Sequence, residues 1–315
     1  MNTMQAMSIG LADLLRDDPR RVLLGEDVAS GGMLGWSLAC VDDPELRARV
    51  VSTPLIPATM AAHAGGLALA GLRPIVLLPS ASALVEGLAG LREIGLVASR
   101  TGGDRSAPVL FVAPCGPGFG LGDDASIEST LARLVGVRVF SVGRSSDVLR
   151  RLADAAAFGE AEEPTVLLVP RMLLTAPHDD VPGTDATTPV QRARDGRTIT
   201  VFTWGEALGP VLAACEDAEI DASVIDVVRL APLDRDTLVE LAKDTGRVAI
   251  IHAGLRAHGL GAEIAALVAE HAIHYLDAPV VRLCGDDGVH APADEMRCVP
   301  TSDRIAAALT ELASP

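Results

Sequence analysis

The sequence is poor in lysine, in aromatic residues and in paired cysteines. Lys243 is the only lysine, and acidic residues outnumber basic ones, which gives the 315-residue chain a formal net charge of -16. Because nucleic acids and anionic membranes repel such a protein, we expect neither as a partner. The five cysteines are an odd number without paired spacing, so the pattern indicates reduced thiols in a cytoplasmic protein rather than disulfides or a zinc site.

Long apolar runs are missing as well. No apolar segment reaches the length of a membrane-spanning helix without an interrupting glycine, proline or charge. The N-terminal residues contain no basic stretch followed by an apolar core, so we expect no secretory signal. The chain has instead 49% hydrophobic and 22% charged residues, a composition typical of a folded globular protein long enough for two domains.

Short apolar runs alternate with amphipathic segments in the first half of the chain. Buried strands are predicted at residues 22–24, 75–78, 109–113, 137–142 and 165–169. Helices are predicted at residues 7–16, 84–100, 126–134 and 145–158. Such an alternation predicts an α/β fold in which helices cover both faces of a parallel sheet.

A segment rich in proline, aspartate, threonine and glycine interrupts this alternation at residues 176–196. It has no periodicity, which is typical of a linker between domains. A second alternating unit follows, with strands predicted at residues 198–203, 223–228, 248–252 and 280–283 and helices at 205–215, 234–244 and 261–271. Asp234 is predicted to cap the second of these helices. We therefore predict a first domain over residues 1–175, a linker over 176–196 and a second domain over 197–315.

The segment Val51–Pro79 carries the most informative pattern of the first domain. Its polar corner at Ser52–Pro54 is followed by small residues that suit a closely packed helix. Leu72–Pro74 ends this helix, and Ile75–Leu78 continues as a buried strand. The corner, the helix and the strand together form one connected unit at the start of a parallel sheet.

Together with this corner, several motifs resemble the beta subunits of 2-oxo acid dehydrogenases, which are transketolase-like proteins that use thiamine diphosphate. The motifs occur in order and at natural spacing over nearly the whole chain, so the set is specific although each motif alone is weak. In the first domain they are residues 24–28 (LGEDV), 53–55 (TPL) and 70–74 (AGLRP). In the second domain they are residues 225–234 (IDVVRLAPLD), 261–264 (GAEI) and 275–282 (YLDAPVVR).

The resemblance implies a pyrimidine-binding domain followed by the transketolase C-terminal domain. In that family the beta chain holds the aminopyrimidine of thiamine diphosphate, while an alpha chain holds the diphosphate and its magnesium ion. This chain has no Gly-Asp-Gly diphosphate motif with a downstream asparagine. The resemblance therefore implies that thiamine diphosphate and magnesium bind only with an alpha-type partner. The implied assembly is a homodimer at least, or an α2β2 heterotetramer with that partner.

The same alignment places three unexpected residues around the pyrimidine. The family's activating glutamate aligns with Pro57, its stacking aromatic residue with Ser80, and the histidine of its His-Ser-Gln triplet with Asp123. No acidic residue lies between Thr53 and Gly66, so a small shift of the alignment does not restore the glutamate. Because the family needs a carboxyl group to protonate the pyrimidine ring, the alignment implies altered chemistry or none.

Glu26 matches the family and follows a predicted strand, where open parallel sheets place ligand-contacting groups. A solvated turn that caps the next helix is an equally good interpretation of the same residues. The glycine-rich loop after the third strand ends at Asp123 and Asp124, whose negative charges weigh against phosphate binding there. We therefore name Glu26, Asp123 and Asp124 as candidate catalytic residues, and Glu26, Pro57 and Ser80 as the residues that face the pyrimidine.

The remaining reactive side chains have simpler interpretations. His63 lies on the small-residue helix, where a helix-contact histidine is more common than a catalytic one. His252 ends a predicted strand, which favours a structural or interface role. Cys115 opens the glycine loop, and without an assignable base it is predicted to be a buried thiol. His271 and His274 have no third ligand at suitable spacing, so no metal site is expected.

The resemblance and the altered pocket leave three hypotheses of function. In the first, the chain is a working beta subunit of a thiamine-diphosphate 2-oxo acid dehydrogenase or of an acyl-transfer relative. In the second, it is a degenerate subunit, or pseudoenzyme, that acts as scaffold, stabiliser or regulator of an active alpha-type partner. In the third, the cleft serves another ligand through Glu26, Asp123, Asp124 and His63. The whole-chain resemblance favours the first as a family-level description, and the altered pocket opposes standard thiamine activation.

Overall fold

The computed structural model describes residues 1–119, 127–159, 162–178, 188–288 and 290–314. These residues form two α/β units, each built around a mostly parallel sheet that is packed between helices. The first unit contains α1 (Thr3–Asp17), β1 (Arg21–Gly25), α2 (Leu38–Asp42), α3 (Pro44–Arg47), β2 (Val50–Ser52), α4 (Pro57–Leu69), β3 (Arg73–Leu77), α5 (Ser82–Glu86), α6 (Leu88–Gly95), α7 (Val97–Arg100), β4 (Leu110–Cys115), α8 (Glu128–Leu131), β5 (Arg138–Ser141), α9 (Val148–Ala156) and β6 (Thr165–Pro170).

The second unit has fewer elements and a smaller sheet. It contains β7 (Gln191–Arg194), β8 (Ile199–Thr203), α10 (Leu208–Asp217), β9 (Ala222–Asp226), β10 (Arg229–Ala231), α11 (Arg235–Lys243), β11 (Val248–Ile251), α12 (Leu260–Ala272), β12 (Val281–Leu283) and α13 (Ser302–Ala313). Within the described ranges, no helix of either unit has the length and apolar character needed to cross a membrane.

The seven strands of the first sheet lie in the order β10-β5-β6-β4-β3-β1-β2. Six of them are parallel, and β10 pairs antiparallel with β5 at the edge. Because β10 follows β9 in the chain, the second unit contributes a strand to the sheet of the first unit and ties the two units together. The second sheet has the order β12-β11-β8-β9-β7, in which β7 runs antiparallel to the others.

The central strand β4 illustrates why the apolar segments fold as strands. All six of its residues are buried, because the strand lies between two helical layers. Leu110 and Val112 belong to the apolar cluster that includes α1 and α9, whereas Phe111 and Ala113 belong to the cluster that includes α4 and α6. Successive side chains of a strand point to opposite faces, so a continuous apolar run suits a strand that is covered on both faces.

The predicted α/β class and the alternation of strands and helices are confirmed. The predicted cap of α11 is confirmed as well, since a side-chain oxygen of Asp234 accepts a hydrogen bond from the backbone N–H of Thr237 at 3.2 Å. The strands predicted in the first unit all exist within one or two residues of their predicted bounds. These features depend on local patterns of apolar residues, which the sequence displays directly.

Several other boundaries differ from the prediction. The helix predicted over 84–100 is divided into α5, α6 and α7, and its first break lies at Gly87, whose backbone packs on the start of α4. The strand predicted over 223–228 is present as β9 but ends two residues earlier, and β10, which was not predicted, follows it and belongs to the other sheet. The predicted linker 176–196 contains β7, a short edge strand whose polar residues have the composition of a linker. Helices α2, α3 and α13 were not predicted, and in the described residues the helix predicted over 126–134 is limited to α8.

Candidate functional site

The carboxyl ends of the parallel strands in the first sheet lie at one edge, where open α/β sheets bind ligands. Glu26 follows β1 directly, Ser80 lies three residues beyond β3, and Gly116 follows β4. Pro57 begins α4, in the connection that leads from β2 back over the sheet. The structure therefore brings Glu26, Pro57 and Ser80 to the same edge of the sheet.

Pro57 occupies the first position of α4, where proline is favoured because the missing N–H is not needed for the helix. The residue is buried, and its carbonyl oxygen packs against Gly87, where an added Cβ would lie only 3.3 Å from that oxygen. The first turn of α4 contains no acidic residue. This position is thus a closely packed helix start that can neither donate nor accept a proton.

Glu26 is exposed and lines a small cavity of about 30 Å³. The indole of Trp36 lines the same cavity; it is 3% exposed, and its Nε1 has no hydrogen-bond partner in the described part of the chain. The other side chains around the cavity are mostly apolar, among them Val28, Leu77 and Leu78. A cavity of this size holds little more than a water molecule, so it is too small for a pyrimidine ring.

Ser80 is half-buried, and its Oγ lies 2.6 Å from the Oγ of Ser82, so the two hydroxyls form a hydrogen bond. A pair of hydroxyls offers none of the flat surface that an aromatic ring presents to a stacked heterocycle. The side chain of His63 is exposed on α4. Asp123 and Asp124 lie outside the described residues.

The residues at this edge do not fit the activation of thiamine diphosphate. The resemblance assigns the carboxyl group that this activation needs to the start of this helix, where the chain has Pro57 and no acidic residue in the first turn. It also uses an aromatic surface at the place where this chain has the hydroxyl pair of Ser80 and Ser82. Glu26 can bind a small polar molecule, but the described residues of this edge lack the groups that would move a proton on a pyrimidine.

A second group of polar side chains lies where the carboxyl ends of the two sheets face each other. Glu206 lies three residues beyond β8, and Asp226 is the last residue of β9. Each carboxyl group packs on a glycine of the first unit. A Cβ on Gly116 would lie 2.6 Å from Oε1 of Glu206, and a Cβ on Gly143 would lie 2.8 Å from Oδ2 of Asp226. A larger residue at either glycine would therefore collide with a carboxyl group of the second unit.

Glu206 is partly buried beside a second acid. Burial is the main reason that the pKa of its carboxyl group is raised to about 7; the negative charge of Glu128 adds to this shift, and the positive charge of Arg171 opposes it. Glu128 accepts a hydrogen bond from Nε1 of Trp204 at 3.2 Å, and Nη1 of Arg171 donates to the carbonyl oxygen of Gly116 at 2.6 Å. A carboxyl group whose pKa is near neutrality can both hold and release a proton.

His252 follows β11 and stacks on Trp204, with ring centroids 4.7 Å apart. Its Nδ1 lies 2.6 Å from the carbonyl oxygen of Ala253, which can only accept, so Nδ1 carries the proton and Nε2 accepts from the thiol of Cys284 at 3.2 Å. Burial lowers the pKa of His252 to about 4 and raises the pKa of Cys284 to about 11. Both groups are therefore neutral at pH 7, which suits a structural role and not a reactive thiolate.

Sequence reasoning does not identify Glu128, Arg171, Glu206 or Asp226. The rule that selects Glu26, a carboxylate at or just beyond the end of a strand, would also have selected Glu206 and Asp226. No comparable signal marks Glu128 or Arg171, because their proximity to Glu206 arises from the packing of the two units. Among the residues that the structure describes, no three His, Cys, Asp or Glu side chains are grouped to hold a metal ion.

Two family models match this chain and together span most of it. The transketolase pyrimidine-binding domain matches residues 1–177, and the transketolase C-terminal domain matches residues 189–305. The 2-oxoisovalerate dehydrogenase subunit beta of Pseudomonas aeruginosa is 30% identical over an alignment that covers 98% of this chain and 93% of the relative. The subunit of the same name from Bacillus subtilis is 29% identical, with 99% and 98% covered. The pyruvate dehydrogenase E1 component subunit beta of Staphylococcus epidermidis is 29% identical, with 92% and 91% covered.

Solved structures share the fold at lower sequence identity. A chain described as a split gene transketolase, inactive beta4 tetramer, superposes with a TM-score of 0.78 at 21% identity, over 99% of this chain and 98% of that chain. The transketolase from Leishmania mexicana superposes with a TM-score of 0.69 at 15% identity, over 99% of this chain and 45% of that chain. At these identities the likeness establishes the fold alone.

Proposed function

Because this chain belongs to the family of 2-oxo acid dehydrogenase beta subunits, we propose that it pairs with an alpha-type chain and completes a shared cofactor cleft without activating thiamine diphosphate. The observation that carries the proposal is the buried Pro57 at the start of α4, in the place of the family's activating acid. The chain is then a catalytically degenerate subunit that stabilises or regulates its partner.

The proposed replacement of an acid by Pro57 changes the cleft but leaves the packing of α4 intact. Below Pro57, the inner face of α4 packs Met60, Ala61 and Ala64 into the core of the first unit. A positioned general acid contributes about 10²–10⁴-fold to a reaction rate. A chain that keeps the packing of this helix while losing the acid therefore suits a supporting role better than an active one.

Exposed apolar side chains beside α4 support a partner at this edge. Leu55 and Ile56 directly precede Pro57 and are 40% and 52% exposed, and the nearby Val51 is 45% exposed. Adjacent exposed apolar side chains often mark protein–protein contacts. In the family the alpha chain holds the diphosphate of the same cofactor, so an alpha-type partner would have to reach this edge of the sheet.

Co-expression with an alpha-type chain that has an intact diphosphate motif tests both parts of the proposal. We expect a stable complex to co-purify and to turn over 2-oxo acids very slowly, as measured by release of carbon dioxide with saturating thiamine diphosphate and magnesium. Alone, the chain is expected to form an inactive homo-oligomer, as the split gene transketolase chain is described.

Two results would count against the proposal. Failure to associate with any alpha-type chain from the same organism would remove the proposed partnership. A complex that contains native Pro57 and decarboxylates a 2-oxo acid at a typical enzymatic rate, about 1–10³ s⁻¹, would show that the cleft is fully active. A light-scattering mass for the isolated chain provides the control for correct folding and assembly.

A further inference from the structure

The second sheet carries a row of polar side chains near its carboxyl edge. Asp226 of β9 lies opposite Gln191 of β7 and opposite Thr203 of β8 in the strand register. Residues that are directly paired across neighbouring strands point to the same face, so the three side chains lie side by side. Thr203 and Asp226 are only 0% and 2% exposed. This part of the row is therefore inside the protein.

Arg151 of α9 reaches the row from the first unit. Its side chain is fully buried, its Nη2 donates a hydrogen bond to Oε1 of Gln191, and its Nη1 lies 3.3 Å from Oδ2 of Asp154. Of the charged groups that act on Asp226, Arg151 has the largest effect. Because α9 belongs to the first unit and β7 to β9 belong to the second, this polar cluster lies at the junction between the units.

Three buried polar atoms of the cluster have no hydrogen-bond partner in the described ranges: Oγ1 of Thr203, Oδ1 of Asp226 and Nε of Arg151. Thr203 and Asp226 are neighbours in the register and are still not bonded directly. A separation of this kind between buried polar groups is commonly bridged by water. The three atoms are a hydroxyl, an acceptor and a donor, a set that one water molecule can satisfy at the same time.

The surrounding charges indicate a neutral occupant. The other groups that act on the Asp226 carboxyl are Arg144, Arg150 and Asp147, in addition to Arg151. Three guanidinium groups disfavour a metal cation at this position, and the carboxyl group of Asp226 disfavours an anion. A molecule that can donate and accept hydrogen bonds without carrying charge satisfies the cluster best.

We propose that the junction between the two units binds one buried water molecule, which accepts a hydrogen bond from Nε of Arg151 and bonds to Oδ1 of Asp226 and Oγ1 of Thr203. This water joins α9 of the first unit to β8 and β9 of the second. The site is separate from the edge that carries Glu26 and Pro57, so the inference does not depend on the proposed function.

The direction of the Tm change in Thr203→Val distinguishes a junction that contains the water from a junction that does not. Valine has the shape of threonine without the hydroxyl. If the hydroxyl binds water, Thr203→Val removes a hydrogen-bond partner from a buried network, and we expect the Tm to fall by about 2–4 °C. If the junction is dry, the same substitution removes an unpaired buried hydroxyl and the Tm rises, which would overturn the proposal.

Two variants serve as matched controls. Thr203→Ser keeps the hydroxyl and is expected to keep the water. Thr200→Val lies on the same strand, but the Thr200 hydroxyl donates directly to the carbonyl oxygen of Leu241 at 2.9 Å. This variant should therefore be less stable than the native chain and still contain the same number of buried waters. Oxygen-17 magnetic relaxation dispersion counts long-lived internal waters. We expect one fewer in Thr203→Val than in the native chain, Thr203→Ser and Thr200→Val, and equal counts would contradict the proposal.

The native chain provides a test that does not depend on how the variants fold. In a high-resolution crystal structure we expect an ordered water within hydrogen-bonding distance of the three atoms. Absence of density at that position, or a direct hydrogen bond from Thr203 to a protein group, would overturn the inference.

Discussion

The carboxyl edge of the first sheet and the junction between the two units contain different kinds of polar residue. At the edge, Glu26 is exposed, Pro57 cannot titrate and Ser80 is bonded to a neighbouring hydroxyl. At the junction, burial raises the pKa of both Glu206 and Asp226 to about 7. The first turn of α4 therefore contains no acid, whereas titratable acids lie where the two units pack together.

The two regions also differ in how much they depend on their neighbours. The start of α4 packs within the first unit, because the carbonyl oxygen of the buried Pro57 lies against Gly87. The junction acids instead face Gly116 and Gly143 of the first unit, where no side chain fits. We therefore expect substitutions at the edge to alter chemistry without separating the two units, and substitutions at the junction to weaken the packing between them.

The largest expected effect is a gain of activity at the edge. In the complex with an alpha-type chain, Pro57→Glu is expected to raise the rate of 2-oxo acid decarboxylation by about 10²–10⁴-fold, the usual contribution of a positioned acid. Glutamate is also tolerated in the first turn of a helix, because the helix dipole favours a negative charge there. The measurement is carbon dioxide release under single-turnover conditions. Pro57→Gln is the control; an equal gain in that variant would refute a role for proton transfer.

At the junction, Arg151→Met is expected to lower the free energy of unfolding by about 3–5 kcal/mol, because it leaves Asp154 with an uncompensated buried charge and removes the hydrogen bond from Arg151 to Gln191. Urea denaturation measures this change. Arg16→Met is the matched control, since Arg16 forms ion pairs with Asp13 and Asp43 on the surface and its loss should change the free energy of unfolding far less. Similar losses of unfolding free energy in the two variants would show that Arg151 stabilises the junction no more than Arg16 stabilises the surface.

Packing of the junction is tested by adding a single carbon. Gly143→Ala is expected to destabilise the chain by about 1–3 kcal/mol, because the new Cβ would lie 2.8 Å from Asp226 Oδ2 and 2.6 Å from Cδ2 of Leu208. Gly66→Ala in α4 meets nothing within 4 Å and should instead stabilise the helix by about 0.5–1 kcal/mol. Thermal unfolding of both variants decides the comparison, and a neutral Gly143→Ala would mean that the two units can move apart.

The last comparison concerns the dependence of stability on pH. Asp226 and Glu206 have a pKa of about 7 in the folded chain, above the usual values of 3.8 and 4.5 for these side chains. Between about pH 4 and 7 the native state therefore binds more protons than the unfolded chain, and these groups make stability fall as the pH rises, each by at most about 1.4 kcal/mol per pH unit. The contribution of His252 makes stability rise with pH instead, because its pKa of about 4 lies below the usual histidine value of 6.5.

Replacing one junction acid should change this profile in a defined direction. Asp226→Asn removes one of the two carboxyl groups whose contribution to stability falls as the pH rises. The free energy of unfolding should therefore fall less between pH 4 and 7 than in the native chain. Urea denaturation at several pH values measures the slope. A variant profile parallel to the native one would mean that Asp226 is already ionised in the folded protein at low pH.

Local patterns made much of the fold predictable. The apolar run of β4 is continuous because both faces of the strand are covered, and Asp234 is recognisable as a cap because its side chain acts within its own helix. The edge strand β7 was missed, because its polar residues resemble those of a linker and its pairing with β9 depends on a segment about thirty residues away.

The candidate site was predictable only in part. The proposed replacement of the family's acid by Pro57 was inferred from the sequence, because the motif around it is short and continuous. Glu206 and Asp226 could have been selected by their positions at the ends of strands, but their raised pKa values could not. Those values depend on burial by the first unit, which no local pattern records.

By itself, the sequence determined the α/β class, the membership in a family and the absence of an acidic residue between Thr53 and Gly66. These properties depend on residues that are close together in the chain. Only the tertiary structure decided that β10 completes the first sheet, that Glu206 packs on Gly116 and that Arg151 reaches Gln191. Such contacts form between residues that are far apart in the chain, and burial sets their energies once the two units have packed together.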